Sequence, residues 1–512
     1  MEYIDLFIKQ KDKIQQYLFY TILFVIISIG IYLRIKAFIA HSYYLVADEC
    51  HSLTNLKINF LSYIFTYDEG ANFIQGYKLI LKTIYSIWGM NWVYFKVPSI
   101  IAGILSLFAF TSLTLKVYKN KLLSIIAVIF FSISNNAIFY SSQLKPYEID
   151  ILFTIVIINS FLNIKEIGIE KFLNSKKLYY YIPIALFMIY TSTPSIAVMS
   201  ICLCTLFIEE LMKKNKLVIK KLFFIDCTIF AFIFFEYFTY IRNFSNAIDV
   251  KSQWLSESFF FAPKSFEAVN SIFSYIFFEF FWFDIDTHIH YNNIVLIAFI
   301  IIIISGTIKF LSEKDIFKGI IVFSPIYFFL AISYLYIYPF CNRPISFLIP
   351  IFIIVLLKTF DFNQNKLNKI ISSVLAIFVC YLYLTEVKNI DSISGLISYN
   401  KNFHKEIEEN LIPLFNLNNQ EVMISILPFS EVFDNENIIF TAKESAIKDN
   451  IVSEDFNNLY ANYKKVYFLY DKSDITPEEI DIIKNHIENN NYVQTKYYNG
   501  NTFFTYMIFQ KN

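Results

Sequence analysis

The sequence predicts an α-helical polytopic membrane protein of about eleven transmembrane helices, followed by a small α/β domain. The 512 residues are 56% hydrophobic and 19% aromatic, unlike the composition of a soluble globular protein. Apolar segments of about 20 residues, the length that crosses a bilayer, recur down to residue 386. From residue 389 onward these runs shorten and Asn, Asp, Glu and Lys become frequent. We therefore expect a transmembrane domain at 1–388 and a soluble domain at 389–512.

The expected spans are separated mostly by short connections. We place them at 17–37, 97–117, 121–140, 147–164, 178–193, 194–212, 221–241, 291–311, 316–337, 344–360 and 368–386. Two connections are long, at 38–96 and 242–290. Lys plus Arg (43) equal Asp plus Glu (43), so the charge balance does not favour nucleic acid as a partner.

Lysine-rich connections set the expected orientation, because short cytoplasmic loops are enriched in Lys and Arg. Such clusters lie near 116–121, 165–177, 213–221, 309–318 and 358–369, at every second connection. The pattern predicts a plasma or inner membrane protein whose N-terminus is cytoplasmic and whose long loops and C-terminal domain are extracytoplasmic. Arg34 and Lys36, at the outer end of the first span, run against it, although long side chains at this position can snorkel to the interface.

The soluble domain shows local signals for strands and a helix. Residues 422–426 and 465–470 have the pattern of short buried strands. Thr476-Pro477-Glu478-Glu479 predicts a helix start with an N-cap, a Pro at the first helical position and a capping box. Asn499-Gly500 predicts a hairpin between 492–498 and 502–509. The domain contains no nucleophile motif or phosphate loop, which favours a structural or acceptor-docking role.

Three polar motifs fall where apolar spans end, and alternate threading places all of them on the outer face. Asp48-Glu49 follows the first span, and a carboxylate there has the chemistry of a general base. Lys145 lies in a tight turn with Gln143 and Tyr147 and could bind a phosphate as a point charge. The alternatives are a solvated acid pair and a snorkelling lysine with an interfacial tyrosine.

Arg343 lies in a short outer connection between prolines, and its guanidinium suits bidentate binding of phosphate oxygens or, alternatively, interfacial anchoring. Glu148 and Asp150 enter the fourth span, and Glu236 lies deep in the seventh. Ionisable groups in a bilayer cost about 2.5 to 3.5 kcal/mol on insertion scales and normally face a cavity or a partner. We name no partner for Glu236.

The second long loop carries a weaker metal-binding signal. Asp284, Asp286, His288 and His290 alternate along the chain and would share one face of an extended segment. This arrangement allows a divalent metal, although alternation alone favours solvated or interfacial side chains over a metal site. The preceding aromatic stretch 266–283 predicts a helix lying in the membrane interface.

Together these motifs resemble the bacterial branch of the protein O-mannosyltransferase family and the lipid A aminoarabinose transferases, both within the GT-C superfamily. The resemblance covers about residues 1–360 and is carried by four short segments in the family order: Asp48-Glu49, Lys96-Val97-Pro98-Ser99, Tyr140 to Tyr147, and Tyr338 to Arg343. Lys96 stands where relatives often carry Arg, and the proline-rich pattern of the first loop is replaced by Asn72-Phe73-Ile74-Gln75-Gly76-Tyr77.

The resemblance implies an inverting transfer of one sugar from a polyprenyl-phosphate donor to an acceptor hydroxyl on the extracytoplasmic face. Asp48 would be the base, Glu49 an assisting acid, and Lys145 and Arg343 would hold the leaving phosphate, with Gln143 and Tyr147 shaping the pocket. The partners would be the lipid-linked donor, membrane lipids and an acceptor lipid, polysaccharide or protein. A transporter or flippase of a lipid-linked sugar is the alternative, but no internal repeat typical of transporters is found in the sequence.

Overall fold

The computed structural model describes much of the chain but leaves several connections out. The described residues are 2–41, 49, 53, 56, 59–65, 74–89, 91–241, 293–340, 343–361, 417–425, 438–440, 447–448, 451–452, 454–471, 475–499 and 504–511. The chain divides into two compact units. The first comprises 1–39, 60–83 and 94–392, and the second comprises 40–59, 84–93 and 393–512.

The described part of the membrane region is helical throughout. Its α-helices are α1 (Glu2–His41), α2 (Phe60–Phe65), α3 (Gln75–Trp88), α4 (Trp92–Val117), α5 (Lys121–Ser132), α6 (Asn135–Tyr140), α7 (Tyr147–Ile167), α8 (Ile169–Leu173), α9 (Lys177–Thr191), α10 (Thr193–Lys213), α11 (Lys216–Glu236), α12 (Asn293–Leu311), α13 (Ile316–Tyr334) and α14 (Ile349–Lys358). A π-helical turn, Tyr237–Ile241, follows α11, and a 3₁₀ helix, Arg343–Leu348, precedes α14.

Five of these helices are long and apolar enough to cross a membrane: 14–41 within α1, 93–117 within α4, and all of α7, α10 and α13. Large apolar side chains such as Phe24, Phe108 and Ile301 are exposed on the helices, as lipid-facing surfaces require. The chain is therefore a multi-pass membrane protein. The expected count of about eleven spans is not confirmed, and the span expected at 368–386 lies outside the described residues.

Three of the predicted spans that the structure describes are not continuous α-helices: the seventh ends in the π-helical turn, and the third and tenth are interrupted or begin irregularly. The third breaks at Ile133–Ser134, between α5 and α6, and the tenth begins as the 3₁₀ helix before becoming α14. The tight turn predicted between the fifth and sixth spans is confirmed, because Ser192 ends α9 and caps α10 by accepting a hydrogen bond from the Ser195 N–H at 3.3 Å. Because proline is accommodated at the first turn of a helix, Pro194 strengthens this start.

Lysines from alternate connections meet at one end of the bundle. Lys165, at the end of α7, forms ion pairs with Glu209 of α10 and with Asp315, which lies before α13. Burial acts to raise the pKa of Asp315, but hydrogen bonds from Lys165 and from the Lys318 amide outweigh it and lower that pKa. The Lys358 ammonium contacts Glu313 at 2.8 Å, so α12, α13 and α14 are joined at this same end.

The helix ends that carry these lysines therefore lie together at one end of the described bundle. Because α7 and α10 both end there, both helices begin at the opposite end of the bundle. The turns that precede α7 and α10 therefore lie at that opposite end.

Helices α12 and α14 pack closely between the two ends of the bundle. A Cβ built on Gly306 of α12 would lie 2.0 Å from the Val355 carbonyl oxygen of α14. Only glycine permits that approach.

The second unit contains a five-stranded mixed sheet. Its strands are β1 (Glu421–Ser425), β2 (Ile438–Phe440), β5 (Lys465–Asp471), β6 (Tyr492–Asn499) and β7 (Phe504–Lys511), and a separate pair is formed by β3 (Ile447–Lys448) and β4 (Ile451–Val452). The sheet order is β2-β1-β5-β7-β6, with parallel pairing among the first three strands and antiparallel pairing among the last three. Helices α15 (Glu454–Tyr460) and α16 (Pro477–Asn489) complete the described elements of this domain.

The local predictions for this domain are confirmed. β1 and β5 lie where buried strands were expected, and β6 pairs with β7 as the hairpin around Asn499-Gly500. Thr476 caps α16 by accepting from the Glu479 N–H, and the Glu479 carboxylate accepts from the Thr476 N–H, which is the predicted capping box. Side chains from β5 and α16, including Phe468 and Ile483, form the buried core.

Candidate functional site

The structure describes some of the predicted site residues and not others. Asp48, and the predicted metal ligands Asp284, Asp286, His288 and His290, lie outside the described residues. Glu49 is described, and its side chain is buried within the second unit. Arg343 starts the 3₁₀ helix, which packs against α7, but only its backbone is described. The convergence of Asp48 and Glu49 with Lys145 and Arg343 therefore stays a prediction.

The turn that carries Lys145 is held rigidly between α6 and α7. Ser141 and Ser142 end α6, and each donates a hydrogen bond from its hydroxyl to a carbonyl of that helix at 2.6 Å. The Lys145 carbonyl accepts a hydrogen bond from Ser99 Oγ of α4 at 3.1 Å. Gln143 and Lys145 are both buried, so the predicted loop is part of the protein interior rather than a solvated turn.

A second lysine lies beside this turn. Lys96 precedes Ser99 by three residues on α4, so the two share one helix face. Because Ser99 bonds the Lys145 backbone, Lys96 lies within about one helical turn of the Lys145 turn, and its side chain is also buried. This is the position where the family resemblance expects arginine, and it lies one helical turn from the serine that bonds the Lys145 backbone.

The start of α7 adds positive potential to the same place. Pro146 is its N-cap residue, and the Pro146 side chain makes no capping hydrogen bond to the first turn. Helix N-termini attract anions because their first N–H groups point outward and the helix dipole is positive there. The Tyr147 ring packs against Tyr140 at a centroid distance of 5.1 Å, giving the turn an aromatic wall.

Glu148, on the first turn of α7, is fully buried and held from another helix. Its Oε1 accepts a hydrogen bond from Ser106 Oγ at 3.0 Å, while Arg34 of α1 lies within electrostatic range. The expectation that an acid at this depth needs a partner is thus fulfilled by a hydroxyl and a guanidinium from two neighbouring helices.

The Arg34 side chain points into the protein and does not snorkel to the interface. The side chain is fully buried, and its guanidinium donates to the carbonyls of Ser132 at 3.1 Å and Phe131 at 3.3 Å. Those carbonyls are released at the end of α5, where the third span breaks, and a cation at a helix C-terminus is favourable. Arg34 therefore stabilises the break in the third span, and the free carbonyls at that break account for an arginine at a position that opposes the positive-inside rule.

Asp150 and Glu236 are the other two acids that the sequence places in apolar spans. Asp150, one turn into α7, is buried beside Ser192, and its Oδ1 has no hydrogen-bond partner among the described residues. Glu236, the last residue of α11, is fully buried, and neither of its carboxylate oxygens has a partner in the described part of the chain. These groups are considered further below.

Sequence reasoning missed two buried lysines in the first long loop. Lys78 and Lys82 lie on α3 with their ammonium groups 5.5 and 5.9 Å from the centroid of the Tyr63 ring, a cation–π arrangement. Their spacing of four residues on an amphipathic segment was the available signal. Among the described residues, no group of three or more His, Cys, Asp or Glu side chains is arranged to hold a metal ion.

No protein-family model and no curated protein sequence matches the chain. Solved structures do. The archaeal oligosaccharyltransferase AglB from Archaeoglobus fulgidus, in complex with an inhibitory peptide and a dolichol-phosphate, superimposes with a TM-score of 0.50 at 12% identity over 96% of this chain and 74% of that one. The fold is GT-C.

A second structure of the Archaeoglobus fulgidus oligosaccharyltransferase, in complex with Zn and sulfate, gives a TM-score of 0.49 at 13% identity over 95% of this chain and 72% of that one. At these identities the likeness establishes the GT-C fold alone. Because the match extends over nearly the whole chain, both the helical region and the C-terminal sheet domain are included in the shared fold.

Proposed function

We propose that this protein is an inverting glycosyltransferase that moves a single sugar from a polyprenyl-phosphate carrier to an acceptor hydroxyl on the extracytoplasmic face of the membrane. The observation that carries the proposal is the buried Lys145 turn, with Lys96 beside it and the start of α7 next to it, in a chain of GT-C fold. Two cations and a helix N-terminus suit a phosphate at the membrane boundary. The similar AglB structure holds a dolichol-phosphate.

In the proposed reaction, Asp48 takes the proton of the acceptor hydroxyl as Glu49 assists, and the acceptor oxygen attacks the anomeric carbon from the face opposite the phosphate. The bond between the anomeric carbon and the phosphate oxygen breaks, and its electron pair leaves with the polyprenyl phosphate, so the configuration inverts. Negative charge grows on the leaving phosphate, where Lys145 and Arg343 stabilise it, while Gln143 and Tyr147 shape the pocket.

The test is sugar transfer by the purified full-length protein, with product mass as the readout. We expect Asp48→Asn to abolish transfer, whereas Asp68→Asn, an acid from a second Asp-Glu pair in the same loop, leaves it unchanged. Lys145→Ala should lower turnover by about 10² to 10³, the usual loss for one donor to a developing anion. Normal turnover by Asp48→Asn would refute the base assignment.

Product mass also separates the proposal from its nearest alternative. Because the similar structures are oligosaccharyltransferases, a mass gain of several sugars per event would replace single-sugar transfer. A divalent metal held by Asp284, Asp286, His288 and His290 remains part of the proposal, and activity that survives exhaustive chelation would remove it. Movement of the lipid-linked sugar across vesicles without any transfer would favour a flippase.

A further inference from the structure

Five buried polar side chains with atoms that lack a hydrogen-bond partner among the described residues lie at the end of the bundle that carries the Lys145 turn. Each belongs to a helix terminus: Gln75 starts α3, Asp150 lies in the first turn of α7, Thr191 ends α9, Ser195 lies in the first turn of α10, and Glu236 ends α11. All five are buried. In these five side chains, the atoms that have no hydrogen-bond partner among the described residues are Gln75 Nε2 and Oε1, Asp150 Oδ1, Thr191 Oγ1, Ser195 Oγ, and Glu236 Oε1 and Oε2.

Contacts between neighbouring elements link these groups. A Cβ built on Gly76 would lie 2.4 Å from the Tyr190 carbonyl oxygen and 2.7 Å from Thr191 Oγ1, so α3 begins directly against the end of α9. Ser192, which follows Thr191, lies beside Asp150.

Tyr190 connects the remaining acid to the same place. It is within electrostatic range of Glu236, and its ring packs against Phe232 of α11 at a centroid distance of 6.3 Å. We call the set Gln75, Asp150, Thr191, Ser195 and Glu236 the polar cluster.

The polar cluster is costly for the ligand-free protein. An unsatisfied buried donor or acceptor destabilises a fold by about 1–3 kcal/mol, and native proteins contain few of them. Such a cost is common at binding sites, where groups are kept for a ligand at the expense of stability. The cluster mixes an amide, hydroxyls and carboxylates, which together can donate to and accept from a ligand with many hydroxyl groups.

The position of Asp150 on α7 indicates which ligand the polar cluster binds. Asp150 is only five residues from Lys145, on the helix that the Lys145 turn begins. In a polyprenyl-phosphate sugar, the sugar is bonded directly to the phosphate, so a phosphate at Lys145 brings the sugar to the first turns of α7. Building on the proposed function, we propose that the polar cluster is the site that recognises the sugar of the lipid-linked donor.

In this assignment the carboxylates of Asp150 and Glu236 accept hydrogen bonds from sugar hydroxyls, while Gln75 donates from its amide and accepts at its carbonyl. Thr191 and Ser195 complete the set with hydroxyls. Solvent does not reach the unpartnered atoms in this structure, so the sugar enters as the helix ends separate. The π-helical turn after Glu236 interrupts the regular backbone pattern at this point, and such turns are frequent at functional sites.

The experiment compares Ser195→Ala, Gln75→Leu and Glu236→Gln with two matched controls in the full-length protein. Ser200→Ala makes the same change on α10, but the Ser200 hydroxyl is already bonded to the Ile196 carbonyl at 2.8 Å. Asp226→Asn changes another buried acid of α11, ten residues or about 15 Å from Glu236. Binding is measured by native mass spectrometry with polyprenyl phosphate alone and with polyprenyl phosphate carrying a hexose, an N-acetylhexosamine, a pentose or an amino sugar.

We expect the parent protein to bind at least one sugar-linked lipid more tightly than polyprenyl phosphate alone. Ser195→Ala should lower the affinity for the sugar-linked lipid, relative to polyprenyl phosphate alone, about fivefold, and Glu236→Gln should lower it about tenfold. The affinity for polyprenyl phosphate alone should stay unchanged. Ser195→Ala and Gln75→Leu should also raise the melting temperature of the ligand-free protein, because each removes a buried polar group that has no hydrogen-bond partner among the described residues. Neither control should show this pair of effects.

Two results would overturn the assignment. One is a parent protein that binds every sugar-linked lipid no better than polyprenyl phosphate alone. The other is a sugar preference that survives the polar-cluster variants. Sugar transfer by the parent protein is measured separately, so the proposed function can stand while this assignment fails. Conversely, intact sugar preference in the parent without any transfer would refute the proposed function and leave the polar cluster as a sugar-binding site.

Discussion

Arg34 offers the sharpest test of how the membrane helices are held, and the perturbation is Arg34→Met. The substitution keeps most of the apolar stem and removes the guanidinium. It deletes the hydrogen bonds to the carbonyls of Gly30, Phe131 and Ser132 and the cation–π contact with the Phe131 ring at 5.4 Å. It also leaves Glu148 buried without the positive charge that faces it.

The magnitude follows from these losses. A hydrogen bond from a charged donor contributes about 1.5–3 kcal/mol, and the Arg34 guanidinium donates to three backbone carbonyls that stay buried when it is removed. We therefore expect Arg34→Met to destabilise the protein by about 3 kcal/mol or more. Arg34→Lys should recover only part of the lost stability. A lysine ammonium lacks the planar, forked guanidinium that donates to several neighbouring carbonyls at once. The double variant Arg34→Met with Glu148→Gln should lose less free energy of unfolding than the sum of the losses in the two single variants.

The assay is thermal unfolding of the detergent-purified protein, with Lys36→Met as the matched control. Lys36 lies on the same helix and also opposes the positive-inside rule, but it is exposed, with its ammonium over the Tyr32 ring at 5.3 Å. The Lys36→Met substitution should therefore change the melting temperature of the protein little. Equal melting temperatures for Arg34→Met and Lys36→Met would refute the reasoning, as would full additivity of Arg34→Met with Glu148→Gln.

Further predictions concern packing and the C-terminal domain. Gly306→Ala should strongly destabilise the protein in the same unfolding assay, because its Cβ would lie 2.0 Å from the Val355 carbonyl oxygen; an unchanged melting temperature would contradict that contact. Thr476→Ala should destabilise the start of α16 by about 1 kcal/mol and speed hydrogen exchange at the Glu479 amide, and exchange at the parental rate would argue against the cap. Burial lowers the pKa of His486, so the folded domain binds fewer protons than the unfolded chain and loses stability as pH falls from about 7 through the folded pKa. Hydrogen exchange across α16, corrected for intrinsic rates, should therefore quicken at pH 5.5 in the parent and much less in His486→Gln; equal pH dependence in both would contradict this origin.

Local sequence signals predicted the C-terminal domain well because each depends on neighbouring residues. Thr476 and Glu479 form their capping box within one helical turn, and β6 pairs with β7, the next strand in the sequence. The parallel pairing of β1 with β5 could not be predicted in this way, since Glu421 and its partner Lys465 are 44 positions apart and nothing local specifies their register.

In the membrane region, apolar run length located the helices but not their interruptions. The break at Ile133–Ser134 contains no proline or glycine, and it is stabilised by Arg34, about one hundred residues earlier in the chain. Sequence reasoning assigned Arg34 to the interface because it considered the residue only against its own helix. The polar groups of Glu148 and Asp150 were singled out by their depth, but Ser106 and Ser192 became recognisable as neighbours only once the helices were packed.

The central claim is that the Lys145 turn binds the phosphate of a lipid carrier next to the base Asp48. A cryo-EM structure of the full-length protein with bound polyprenyl phosphate tests it most directly. We predict the phosphate oxygens within about 3 Å of Lys145 Nζ, with the Arg343 guanidinium on the same phosphate and the Asp48 carboxylate on the side where an acceptor would approach. A phosphate bound at the lysine-rich end near Lys165, or an Asp48 at the opposite membrane face from Lys145, would contradict the account.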